Sequence, residues 1–375
     1  MTSKHIKLDF AATLIALLLL TVGVVHAQQT QSTNPNENEA AIAKMSAVPV
    51  GEWQPKSSLI VPLTDVRQAR YPVIDVHGHV YARTPEEVAE WVGVMDEVGV
   101  EKTVIMTGAV GDRFDEAVEL YLKPYPERFV LFAGVLKEGI NAPDYPQRAV
   151  AELERCYRMG ARGLGELSDK GFGFTSDPSL TPDQRLHPDD PRLDLFWKKA
   201  EELKLPVNIH FADHPSAWEP PDRTQERTPG FQRYNQYGRN SPTHAEVLKI
   251  RDRFLTRHPN NIVIACHLSN QGHDLASLTQ TMEAFPNLYL DMAARQYEFG
   301  RQPRRASVFF KKFKDRILFG TDRGREAEMY RSFWQVLETA DEYLPGQSWW
   351  MLYGLELPDD VLRALYRDNA LRILN

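Results

Sequence analysis

The sequence predicts an α/β chain closed into a single (β/α)8 TIM barrel, and three observations predict it. Short β-branched apolar runs recur along the chain, amphipathic stretches alternate with them, and polar residues with site chemistry stand at the ends of those runs. The runs are Val73–Val80, Lys102–Thr107, Phe129–Val135, Gly163–Ser168, Pro206–Asp213, Ile262–Ser269, Asn287–Ala293 and Ile317–Asp322. Helical patterns fall at Pro85–Val98, Asp115–Tyr125, Tyr145–Met159, Arg192–Leu203, Thr243–Arg257, Asp274–Phe285 and Arg304–Phe313.

Local signals support these elements. Thr84-Pro85-Glu86-Glu87 places an N-cap, a proline at the first helical position and acids in the first turn. Ser241-Pro242-Thr243 precedes another helix, and Gly99 and Gly160 follow helices as stops. An open doubly wound sheet would favour a glycine-rich phosphate loop after its first strand; this chain carries His77-Gly78-His79 there. No repeat of solenoid period is present.

Two connections are long. Residues 169–191 are rich in Gly, Pro and Asp, and residues 214–242 hold Trp218, Phe231, Tyr234 and Tyr237 among prolines and arginines. Both follow strands, which puts them on the face where barrels bind substrate, as binding loops or as insertions packed by their own aromatics.

The first 27 residues read as a secretory signal peptide. Lys4 and Lys7 precede an apolar run from Phe10 to Val25, and Val25-His26-Ala27 fits a cleavage site. An uncleaved N-terminal anchor is the alternative. The expected location is therefore the periplasm or the cell exterior. Residues 28–58 are polar and apolar-poor, as in a flexible linker, and 59–375 form the barrel domain. The net charge of −7 becomes −8 without the segment 1–27, which argues against a nucleic-acid partner. Arg301, Arg304 and Arg305 read as a solvated helix face. The two cysteines, Cys156 and Cys266, are expected as buried thiols, because two cannot make a disulfide framework. Nothing in the chain specifies a protein partner, and a homo-oligomer is left open.

The chemistry concentrates at strand ends. Side chains of a strand alternate faces, so His77 and His79 point the same way and can grip one ion. Glu166, His210, His267, Arg295 and Asp322 end or follow later strands, so the barrel brings them to one mouth. An imidazole-rich set with a carboxylate suits one divalent ion, Zn²⁺ first, with Mn²⁺ or Fe²⁺ as alternatives. Asp75 shares the parity of His77 but sits deeper, and is read as structural. Each candidate also has an ordinary role: Asp322 as a cap, His267 as a core histidine, Glu166 paired with Arg162, Arg295 paired with Glu298.

Val-Ile-Asp-Val-His-Gly-His (73–79), Val-Asn-Ile-His (207–210), Ala-Cys-His-Leu (265–268) and Leu-Phe-Gly-Thr-Asp (318–322) resemble the strand motifs of the amidohydrolase superfamily. The closer resemblance is to its amidohydrolase-related branch, which includes aminocarboxymuconate-semialdehyde decarboxylase-like enzymes; Pro358–Leu362 and Asn369–Arg372 are similar to that branch's C-terminal helix. The resemblance spans roughly residues 70–375. It implies that His77, His79, His210 and Asp322 are metal ligands, with Asp322 also a general base. It implies that His267 polarises a carbonyl or moves a proton. Glu166 stands where binuclear branches carry a carboxylated lysine, so a mononuclear centre is expected. Glu166 is then a partner of the ligands, an extra ligand or a substrate contact. Arg295 can clamp a substrate carboxylate.

The function expected first is metal-dependent hydrolysis of an amide, lactone or ester of a small molecule by metal-activated water. The alternative is metal-dependent, non-oxidative decarboxylation of an aromatic or unsaturated carboxylic acid. A non-catalytic binding barrel is the third reading; it leaves the His/Asp set without a purpose.

Overall fold

The protein is described by a computed structural model covering residues 35–49, 52, 57–222, 224–226, 235–346 and 350–374. It divides into two units, Met1–Ile60 and Val61–Asn375. Residues 1–27, expected as a signal peptide, lie outside the described residues. Within the expected linker 28–58 the first unit carries a helix, Pro35–Ser46. Its alanines, glutamates and lysine are strong helix formers, so local propensity orders a stretch whose polarity suggests a coil. Among the described residues no helix is long and apolar enough to cross a membrane.

The second unit contains eight parallel strands in sequential order: β1 (Val73–Gly78), β2 (Val100–Met106), β3 (Phe129–Ala133), β4 (Ala161–Asp169), β5 (Val207–Phe211), β6 (Val263–Ala265), β7 (Leu288–Asp291) and β8 (Ile317–Leu318). Backbone bonds from Val76 N to Phe319 O and from Asp322 N to His77 O, each 2.9 Å, join β8 to β1 and close the barrel.

The helices follow local chemistry. Thr84 accepts from the Glu87 amide at the start of Pro85–Val98, and Gly99 ends that helix at φ 88°. Thr243 and Glu246 form a reciprocal capping box on His244–Arg257. The helix Ala327–Glu338 after β8 is an addition to the expected set; it buries Tyr330, Phe333, Trp334 and Leu337.

Ile74, Val76, Val104, Met106, Phe132, Ile264 and Leu318 fill the barrel, with Ala370 and Ile373 of the C-terminal helix packed against them. An irregularity in the β1–β2 register between Asp75 and Gly78 breaks the simple alternation assumed for β1. Asp75 is wholly buried and accepts from Thr321 Oγ1 at 2.7 Å and Tyr330 Oη at 3.2 Å. It ties β1 to the outer helix, so its role is structural. Both cysteines are buried thiols.

Strands β6 and β8 are shorter than expected, for a conformational reason. His267, Leu268, Ser269 and Asn270 have φ of 50–60°, and Asp322 has φ 49°. Such residues cannot continue a strand, and each left-handed non-glycine residue costs about 1–2 kcal/mol. Ala212 and Ala294 share this conformation at the ends of β5 and β7. Tertiary bonds hold these turns: Asn270 Nδ2 donates to the carbonyls of Phe211 and Ala212 at 3.1 and 3.2 Å, and Ala294 N donates to Thr321 O at 2.9 Å. Strain of this kind gathers where geometry is functionally constrained.

Candidate metal centre

The ends of β1, β4, β5, β6 and β8 bring six of the seven candidate residues together. His77, His79 and Asp322 form one cluster; Glu166, His210, Cys266 and His267 form another; within each, one donor atom per residue lies within 4.8 Å of the others. The clusters adjoin, with His79 Nε2 3.6 Å from Glu166 Oε2 and His267 Nε2 3.8 Å from Asp322 Oδ2. His210 thus stands beside Glu166 and His267, across the mouth from the His77–His79 pair. Arg295, the seventh candidate, is buried and spoken for: it donates to Asn270 Oδ1 and to Ala294 O, and lies 3.5 Å from Glu298.

The orientation of the imidazoles is the informative feature. His79 Nδ1 is 3.1 Å from Met106 O, and His267 Nδ1 is 2.9 Å from Ala293 O. A carbonyl only accepts, so both Nδ1 atoms carry hydrogen and both rings turn Nε2 inward, the atom that would meet an ion. His77 Nδ1 donates to Asp291 Oδ2 at 2.9 Å, and its Nε2 is buried with no hydrogen-bond partner. His210 lies between two carboxylates, Nδ1 2.7 Å from Glu166 Oε1 and Nε2 3.0 Å from Asp213 Oδ1. An orphaned buried nitrogen beside two further inward Nε2 atoms and two carboxylates is a donor set that fits a divalent cation.

The charges agree with that reading. Burial lowers the His77 imidazole, but the Asp291 and Asp322 carboxylates outweigh it and raise His77 to about 10. Burial raises Asp322, yet His77 and His79 prevail and hold it below the usual carboxylate range. Burial raises Glu166 as well, but the neighbouring His210 and His267 outweigh it and hold the Glu166 carboxyl well below the usual range. Burial, reinforced by Arg295, lowers His267 to about 4, so its ring is neutral at ordinary pH. Tyr81 Oη donates to Asp322 Oδ1 at 3.2 Å.

Sequence reasoning assigned no role to Asp291 or Asp213. Asp291 accepts from His77 Nδ1, from Asn208 Nδ2 at 3.0 Å, and from the amides of His267 and Ala293 at 2.8 and 3.1 Å. The available signal was an acidic residue ending β7, the same kind of position that flagged Asp322. Cys266 also reaches the site, its Sγ donating to Glu166 Oε1 at 3.4 Å. In the loops, Trp218 Nε1 donates to Pro242 O at 2.8 Å and Tyr237 is exposed, while Phe231 and Tyr234 lie outside the described residues.

A closed parallel barrel with a histidine–carboxylate cluster at the C-terminal ends of its strands defines the class as a barrel enzyme. The chain belongs to the amidohydrolase family, whose family model, described as "Amidohydrolase", matches residues 67–375. Solved structures share the fold. A 5-carboxyvanillate decarboxylase from Novosphingobium aromaticivorans, complexed with manganese and 4-hydroxy-3-methoxy-5-nitrobenzoic acid, is 12% identical, with 84% of this chain and 99% of that one covered and a TM-score of 0.50. A dihydroxybenzoic acid decarboxylase from a Polaromonas species, with bound manganese and 2-nitroresorcinol, is 16% identical, with 81% and 97% covered and a TM-score of 0.50. An uncharacterized TIM-barrel protein from Bordetella bronchiseptica is 16% identical, with 81% and 98% covered and a TM-score of 0.51. At these identities the likeness establishes the fold. No curated protein matches the chain.

Proposed function

We propose that this protein is a metal-dependent decarboxylase of a small hydroxylated aromatic or unsaturated carboxylic acid. His77, His79, His210 and Asp322 hold one divalent cation, with Glu166 beside them. The ion, when bound, supplies Lewis acidity to substrate oxygens. The observation that carries the lyase reading is the 2.9 Å contact of His267 Nδ1 with Ala293 O, from which the tautomer of the ring is assigned. Its Nδ1–H is committed to Ala293 O, and burial keeps the ring neutral, so Nε2 is an acceptor. An acceptor cannot donate to a developing oxyanion, which is what the carbonyl-polarising role in hydrolysis asks of it. It can accept the proton of a substrate hydroxyl, which pushes electron density towards the carbon that will be protonated.

In the reaction the bond from that carbon to its carboxyl group breaks, CO2 leaves, and a proton takes its place. Asp322, held ionised by its histidine neighbours, would first take that proton from solvent and then hand it to the carbon. Its side chain is 27% exposed against 17% for Glu166, so it can exchange protons with solvent, and it reaches both His79 and Tyr81. The decarboxylase descriptions of the two manganese-containing neighbours support the same reading. Hydrolysis retains one observation in its favour: Asp322 Oδ1 lies 3.1 Å from His79 Nε2, where a carboxylate could deprotonate a water.

The deciding experiment incubates the metal-loaded protein with hydroxybenzoic acids on one side and lactones and amides on the other. CO2 release with the protonated arene as product is expected. Cleavage of a lactone or amide with no CO2 from any acid would replace this reading with the hydrolytic one. We further propose that residues 1–27 direct export and are then removed, which N-terminal sequencing of the exported protein would check.

A further inference from the structure

We propose that Asp213 and Lys170 form a positioning pair that fixes His210 for metal binding, and that they thereby tie the long loop after β4 to the metal centre. The inference rests on the metal reading above. Lys170 follows β4 directly, and its Nζ lies 2.9 Å from Asp213 Oδ1. The same oxygen lies 3.0 Å from His210 Nε2. One carboxylate oxygen therefore joins a residue of the loop after β4 to the imidazole that ends β5.

Burial makes the arrangement interdependent. Asp213 is 5% exposed and His210 is 8% exposed. Lys170 Nζ, 2.9 Å away, is the cation that faces this buried carboxylate. An ionised carboxylate only accepts, so it takes the Nε2–H of His210. The ion would then take Nδ1 in place of that nitrogen's 2.7 Å hydrogen bond to Glu166 Oε1. Holding the outer nitrogen also fixes the ring's rotation and strengthens its inner lone pair.

His210 differs in this respect from the other three histidines. Asp291 of β7 holds His77, and backbone carbonyls hold His79 and His267. The holder of His210 alone depends on a cation from a long loop. That loop is itself anchored beside Lys170: Asp169 Oδ1 accepts from the amides of Gly171 and Gly173 at 2.9 and 3.0 Å, and Asp169 Oδ2 lies 2.7 Å from His187 Nδ1. A shift of the loop therefore reaches His210 through the Lys170–Asp213 ion pair.

The test measures Zn²⁺ and Mn²⁺ affinity by chelator competition for the full chain, Asp213→Ala, Asp213→Asn, Lys170→Met and the Lys170→Met/Asp213→Ala double variant. Loss of the outer partner is expected to weaken binding about 10–100-fold in Asp213→Ala. Lys170→Met should lose part of that, and the double variant should be no worse than Asp213→Ala, because Lys170 acts through Asp213. Asp213→Asn, which keeps an accepting oxygen and nearly the same volume, should recover part of the affinity. Wild-type affinity in folded Asp213→Ala would overturn the inference, as would fully additive losses in the double variant. If Asp213→Ala does not fold, equal affinities for Asp213→Asn, Lys170→Met and the wild type would overturn it instead. The His77→Ala/His79→Ala variant separates the two failures: if it keeps its metal, the metal reading itself is wrong.

Discussion

Asp291 Oδ2 lies 2.9 Å from Nδ1 of His77, and this pair turns the other nitrogen of His77, buried and unpartnered, into the mouth of the barrel. Asp291→Ala should therefore weaken metal binding about 10–100-fold. It also orphans the amides of His267 and Ala293 and the Asn208 side chain, each worth about 1–3 kcal/mol when left buried and unpaired. Chelator competition and urea unfolding would check the two effects separately, and a variant unchanged in both would remove Asp291 from the account.

The charge on His77 gives a pH dependence with a definite sign. With His77 raised to about 10, the metal-free protein carries a proton there at neutral pH, and an ion must displace it. Metal affinity should rise with pH, about tenfold per unit where one proton is released, and level off above about pH 10. Calorimetry in buffers of different ionisation enthalpy should count roughly one proton released near pH 7.

Asp322→Asn should cost about 10²–10⁴ in turnover, since the amide can neither take nor deliver the proton. Its neutral side chain should also hold the ion less well, so the rate must be measured at saturating metal. A variant with undiminished turnover would exclude Asp322 as the proton carrier.

Gly320 makes room for His77. A Cβ at position 320 would stand 2.8 Å from the Cβ of His77, closer than two such atoms approach. Gly320→Ala should displace the histidine, reducing both metal content and stability by about 1–3 kcal/mol in unfolding free energy. Denaturant unfolding beside elemental analysis would show whether the two fall together.

Much of this site was legible because strand ends in a parallel barrel share one face. His77, His79, His210, His267, Glu166 and Asp322 could be gathered from positions far apart in sequence on that ground alone. The order and type of the strands were legible from β-branched runs, and helix ends from Thr84, Thr243, Gly99 and Gly160.

What was not legible depends on tertiary contacts. The left-handed turn His267–Asn270 has no glycine to announce it, and its bonds come from residues distant in sequence. Asp291 reads as an ordinary strand-end acid until His77 is seen beside it. Arg295 reads as a substrate clamp from its position, yet Asn270 and Glu298 lie against it. The helix Pro35–Ser46 was hidden by polar composition, and Ala327–Glu338 is an amphipathic segment that was passed over.

The proposal stands or falls on whether His77, His79, His210 and Asp322 hold a divalent ion at the mouth of the barrel. Elemental analysis of the purified protein, beside a His77→Ala/His79→Ala variant shown by circular dichroism to be folded, tests it most directly. The account predicts about one equivalent of Zn²⁺ or Mn²⁺ in the wild type and its loss in the variant. An intact, folded wild type that takes up no divalent ion even after reconstitution, or a variant that retains it, would contradict the account.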